Sequence, residues 1–242
     1  MILFMSSKPR LWTKGFILDT LVNFLIYIIY YMLMVIIASE AIHSLNASMS
    51  EAGLASGIFI LGTLIARLFA GRSVELYGRR KMLFAGIIFY LATTFMYFGI
   101  HSMAMLFFVR CLNGIGYGIA STATSTIVST MIPAERRGEG INYYALSMSL
   151  AAAIGPFIGM LMQQIFPFED IIYFCIAMIV VCLGAAAVMH VDEMELTEEH
   201  RAELKEIHIA NFLDESHGYL DRCFLRRCLL LERPELPRLV CR

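Results

Sequence analysis

Arg110 stands eight residues into an apolar run that begins at Met103. At 1.5 Å per residue that is about 10 Å from the nearer end of a helix built on the run. A charge at such depth in hydrocarbon is costly and usually faces a partner or a cavity; the alternative is a long side chain that snorkels to the interface. Asn113 lies one turn further on and can share the site. Asp19 falls about one turn inside the first apolar run, entering from the opposite side. The two charges then differ in depth by roughly 15 Å of a core about 30 Å thick, so no direct Asp19–Arg110 pair is predicted. Arg67 lies at a depth compatible with Asp19, and the competing reading is that both merely reach the interface. These residues suit binding and carrying, not bond-making. The chain has no HExxH, GxSxG or P-loop pattern, and its six histidines are scattered over connections and tail. No enzyme activity, cofactor or metal is implied, and without an ATP site any transport must draw on ion gradients.

Two glycine-containing motifs flank those charges. Residues 71–81 read GRSVELYGRRK. Gly71 and Gly78 there permit a tight turn and close backbone approach. Glu75 can pair with an arginine or face the positive end of a helix, and Arg79, Arg80 and Lys81 form a basic cluster. An ordinary basic loop would explain the arginines but not the Gly–acid–Gly spacing. Residues 155–159 read GPFIG. Gly155 and Gly159 make a face of small residues that lets two helices approach, and Pro156 removes a backbone donor and invites a kink. Gly53/Gly57 and Gly114/Gly118 repeat the spacing and read as packing pairs. Met32, Met34, Tyr27, Tyr30 and Tyr31 read as bundle packing ahead of an aromatic ligand cage.

The elements that position these residues follow from composition. The chain is 59% hydrophobic and 16% charged, against about 25% charged and 45–50% apolar in soluble domains. Mean hydropathy is +0.70. A soluble fold would leave large apolar patches in water; a bilayer absorbs them. Six segments reach the roughly 20 apolar residues needed to span: 16–38, 52–70, 82–100, 103–131, 143–165 and 171–190. The expected fold is an all-α integral membrane bundle of six transmembrane helices over residues 16–190. A net charge of −1 argues against a nucleic-acid partner. The six cysteines form no CxxC pair or disulfide framework.

Orientation follows from basic residues at the span ends. Lys8, Arg10 and Lys14 precede the first span, Arg72, Arg79, Arg80 and Lys81 lie between the second and third, and Arg136 and Arg137 between the fourth and fifth. The alternate connections carry Glu40, Glu51, His101, Glu169 and Asp170 without lysine or arginine. Both termini, including residues 1–15, are therefore expected in the cytoplasm, in a multi-pass protein of the cell membrane.

Here a family resemblance enters. Residues 71–81 resemble the major facilitator signature between helices 2 and 3, G-x3-[DE]-x2-G-[RK]-[RK]-[RK], with Glu75 as the acid and Leu76 where an arginine is common. Residues 110–118, RCLNGIGYG, are similar to the family's R-x3-G-x-G-x-G pattern in helix 4. GPFIG is similar to the G-P-x-x-G core of its proton-coupled exporters, with Ala151 and Met160 replacing usual glycines. The resemblance implies the N-terminal six-helix half of such a fold, exporting a drug-like compound or small metabolite against protons. It implies substrate or proton contacts by Arg110, Asn113 and Asp19, a gating role for Gly71, Glu75, Gly78, Arg79, Arg80 and Lys81, and a midplane interface shaped by Gly155, Pro156 and Gly159. It also implies a second six-helix half, without which one bundle cannot alternate access. A half-size homodimer and a non-transporting subunit or remnant remain as alternatives. Residues 191–215 read as a central-loop-like linker or a solvated tail; 216–242, rich in Arg and Cys and broken by Pro234 and Pro237, are expected to be an out-of-frame extension.

Overall fold

The computed structural model describes residues 10–189 and 191. The linker and tail expected over 191–242 otherwise lie outside the described residues. Six long helices run in order: α1 (Lys14–Ser44), α2 (Met49–Tyr77), α3 (Arg79–Phe95), α4 (Met103–Met131), α5 (Arg137–Ile165) and α6 (Phe168–Val188). Each is long and apolar enough to cross a membrane. Among the described residues there is no β-strand.

The helix ends are written in local chemistry. Thr13 accepts the Phe16 amide at 3.2 Å, and Ser102 accepts that of Met105 at 3.3 Å. Ser48 and Glu51 close a capping box at the start of α2; each such device satisfies amides that a first helical turn leaves orphaned. Glu169 and Asp170 occupy the first turn of α6, where the helix dipole favours negative charge. At the opposite end of the bundle Arg80 donates to the carbonyl of Ala187 at 2.9 Å, tying the start of α3 to the end of α6.

α4 is the central element. It packs on α2, α3 and α1, while α1 in turn packs on α5 and α6. Glycine placement explains how α4 gets so close to two neighbours. A Cβ on Gly114 would collide with the Phe59 carbonyl and one on Gly118 would meet Ala66 Cβ at 2.7 Å, both on α2. A Cβ on Gly116 would meet Tyr90 Cα at 2.8 Å on α3. Thr63 completes the α2–α4 seam by donating to the Gly114 carbonyl at 3.1 Å.

Three expectations change. The stretch 71–81 is not a loop: α2 stays helical to Tyr77 and Gly78 alone separates it from α3. Gly78 has φ 95° and ψ 141°, a region essentially reserved for glycine, whereas a Cβ on Gly71 would meet nothing within 4 Å. Gly71 therefore serves no close approach inside the bundle. Gly53 and Gly57 are equally open and are not packing glycines here. The α5 pair behaves as expected. A Cβ on Gly155 would meet Tyr31 Cβ at 2.8 Å, and one on Gly159 would meet Met32 Cγ at 3.2 Å, so α5 lies tight on α1. α5 runs without interruption through Pro156.

Candidate functional site: a buried arginine beside an aromatic shelf

α4 carries a polar stripe at helical spacing, Arg110, Asn113, Tyr117, Ser121 and Thr124, all buried. Its members serve different partners. Arg110 is fully buried and turns toward α1 and α2. Its Nε donates to the Ala55 carbonyl at 3.4 Å, Nη2 reaches Met34 Sδ at 3.1 Å, and Cζ lies 4.6 Å from the centre of the Phe59 ring. Nη1 has no hydrogen-bond partner among the described residues. The guanidinium thus meets a long amide contact, a thioether and a ring face in place of a carboxylate.

Asn113 turns the other way. Its amide donates to Thr93 at 3.1 Å and Thr94 at 3.2 Å, and its carbonyl oxygen accepts from Tyr97 at 3.4 Å. Both amide hydrogens are engaged, so Asn113 is a tie between α4 and α3. Asn113 makes no direct hydrogen bond to Arg110.

Asp19 is also fully buried, and both carboxylate oxygens lack hydrogen-bond partners among the described residues. Arg67 is exposed and makes no ion pair with it. One turn along α1, Asn23 Oδ1 accepts from Tyr144 OH at 2.9 Å and lies 3.3 Å from Thr124 Oγ1. Asn23 Nδ2 reaches Ser147 Oγ at 3.4 Å. A polar knot therefore joins α1, α4 and α5 at the basic end. Nothing in the motifs pointed to Asn23, Thr124 or Tyr144; the available signal was their polarity inside apolar runs.

Between the two charges lies a shelf of rings. Tyr30 stacks on Phe59 at 5.1 Å and on Tyr117 at 4.9 Å. Tyr31 lies 4.7 Å from Tyr30, and Tyr27 5.5 Å from Tyr117. Phe59 and Tyr117 are buried, whereas Tyr27, Tyr30, Tyr31 and Met34 are half-buried and keep a face open. The tyrosines of α1 do pack the bundle, and they also present a surface. Of the 71–81 motif, Arg79 is buried and Arg80 is bonded to α6; the side chains of Arg72 and Glu75 lie outside the described part of the structure. Two cavities of about 520 and 370 Å³ open at the acidic end and share Glu40 in their linings. Neither includes Arg110, Asn113 or Asp19.

A family model described as Major Facilitator Superfamily matches residues 20–228. The chain belongs to that superfamily. The uncharacterized MFS-type transporter MJ1560 of Methanocaldococcus jannaschii is 27% identical over 132 residues, covering 54% of this chain and 34% of the relative. Multidrug resistance protein MdtL of Citrobacter koseri is 26% identical over 140 residues, 57% of this chain and 36% of the relative. A crystal structure of the peptide transporter POT with alafosfalin shares the fold at a TM-score of 0.67 and 16% identity, covering 86% of this chain and 46% of that one. The matched stretch thus spans about a third of these curated relatives and under half of the solved chain. Within the superfamily, this is a multi-pass membrane protein, with six helices among the described residues long and apolar enough to span.

Proposed function

We propose that this chain supplies one bundle of a secondary transporter that exports a drug-like or small-metabolite substrate in exchange for protons. The observation that carries the reading is Arg110, buried in a spanning helix with Nη1 unpaired among the described residues, beside rings that keep an open face. Polar groups at such depth mark transport pathways. Names of superfamily relatives such as multidrug resistance protein support export.

The division of labour follows the geometry. Arg110 and the tyrosine shelf contact substrate, and Asn113 holds α3 and α4 in register so that Arg110 keeps its depth. Asp19 carries the proton: burying an unpartnered carboxylate costs far more than burying the neutral acid, so loading and unloading a proton there changes the energy of the α1–α4–α5 junction. Gly78 and the basic residues after it form the joint that latches one state. In this family two bundles rock about a site between them, so a second six-helix half, or a second copy, is required. Both termini are cytoplasmic in this arrangement, in the cell membrane.

The test is dye export from proteoliposomes under an imposed pH gradient, comparing the single chain with two copies joined in tandem. The single chain is expected to be inactive. Export by the single chain that Arg110→Ala abolishes, with no crosslinked dimer present, overturns the two-bundle requirement. Cysteines placed at Leu150 on α5 report by crosslinking whether a second copy docks in the membrane. Where proton-driven export is found, Asp19→Asn should abolish its dependence on the gradient; unchanged coupling overturns the proton role.

A further inference from the structure

Arg110 is always charged and offers five donors, yet the bundle gives it no counter-ion. Among the described residues it meets a carbonyl, a thioether, a ring face and the neutral Tyr97, none of them a carboxylate. Among the described residues, the other acids on the helices sit toward the ends: Glu40 and Glu51 on α1 and α2, Glu139 on α5, Glu169 and Asp170 on α6. Asp19 is the exception, the sixth residue of α1, while Arg110 is the eighth of α4 counted from the opposite end of the bundle. The positive charge is therefore uncompensated in its own layer, and a buried charge without a partner is strongly unfavourable.

The ring shelf beside Arg110 begins at Phe59, 4.6 Å from the guanidinium carbon, and continues through the half-buried faces of Tyr30, Tyr31 and Tyr27. Met34 covers Arg110 from the open side with a weak acceptor on a flexible stem. A carboxylate would replace that contact with charge-assisted bonds and engage Nη1 as well.

We propose that the site takes an amphipathic organic anion, its anionic head on Arg110 after Met34 swings aside and its flat ring system on Tyr30, Tyr31 and Tyr27. The assignment rests on the transport site proposed above and names its substrate class. An organic cation is disfavoured because it would meet the Arg110 guanidinium and no carboxylate in that layer.

Three probes of one shape separate the terms: 2-naphthoate, neutral 2-naphthamide and cationic 2-naphthylmethylamine, bound to the purified full chain in nanodiscs by equilibrium dialysis. Naphthoate should bind at least about tenfold more tightly than the amide, and Arg110→Gln should bring the two to within about twofold of each other. Tyr30→Ala should weaken all three. If Arg110→Gln fails to fold, Arg110→Lys replaces it, keeping the charge but losing the paired donors, and should weaken naphthoate by a few-fold. Cation binding equal to or tighter than naphthoate, still sensitive to Tyr30→Ala, overturns the anionic class and leaves the site standing. Insensitivity of all three probes to Tyr30→Ala overturns the site itself.

Discussion

Arg110 and Asn113 stand three residues apart on α4, and their surroundings separate what they do. Asn113 spends both amide hydrogens on Thr93 and Thr94, so its replacement should be felt in stability. Hydrogen bonds between helices in membranes are worth about 0.6 kcal/mol on average and up to about 1.7. Asn113→Ala is therefore expected to cost about 1–2 kcal/mol in mixed-micelle unfolding, and a Thr93→Ala, Thr94→Ala background should absorb most of that loss. A full cost in that background would show that Asn113 works through something other than α3. Asp19 predicts the opposite sign. Its carboxylate oxygens have no partners to lose among the described residues, so Asp19→Asn should leave stability equal or raise it by about 1 kcal/mol or more. A marked loss on the same assay would mean that Asp19 is held by a bond absent from this conformation.

At the scale of the helix, glycine substitutions divide cleanly by what lies opposite. Gly114→Ala drives a methyl into the Phe59 backbone, which cannot yield as a side chain tip can; overpacking of this kind costs about 1–3 kcal/mol. Gly57→Ala meets nothing within 4 Å and should be neutral, or stabilising by a few tenths through helix propensity. Gly78→Ala strains the joint between α2 and α3 by about 1–3 kcal/mol through φ alone. Comparing the three by thermal unfolding in detergent tests whether open space, not the small-xxx-small pattern, decides the outcome. The pattern itself treats Gly53/Gly57 and Gly114/Gly118 alike, because spacing reports which residues share a face and not what that face meets. The same limit explains the 71–81 motif, where glycine and charge suggest a loop although α2 continues to Tyr77. Hydrophobic length, by contrast, places all six helices, since a span must be apolar along its whole extent. The charges of the site were legible for the same reason: a polar residue in an apolar run stands out. Their partners were not, because Met34, Phe59 and Tyr117 look like ordinary core in one dimension.

For the whole molecule the distribution of charge makes a claim about sidedness. Lys14, the basic cluster at 79–81, and Arg136 with Arg137 mark one end of the bundle; Glu40, Glu51, Glu169 and Asp170 mark the other. The basic end should face the cytoplasm, because short connections rich in lysine and arginine are retained there. A single cysteine at Asn46, between α1 and α2, should then react with a membrane-impermeant maleimide added to intact cells. A cysteine at Pro133, between α4 and α5, should react only after permeabilisation. Cys111, Cys175 and Cys182 lie within the spanning helices, and the cysteines at 223, 228 and 241 are replaced by serine so that only the introduced thiol is read. Reversal of the two results would turn the bundle over and put Asp19 near the outer surface and Arg110 near the inner one.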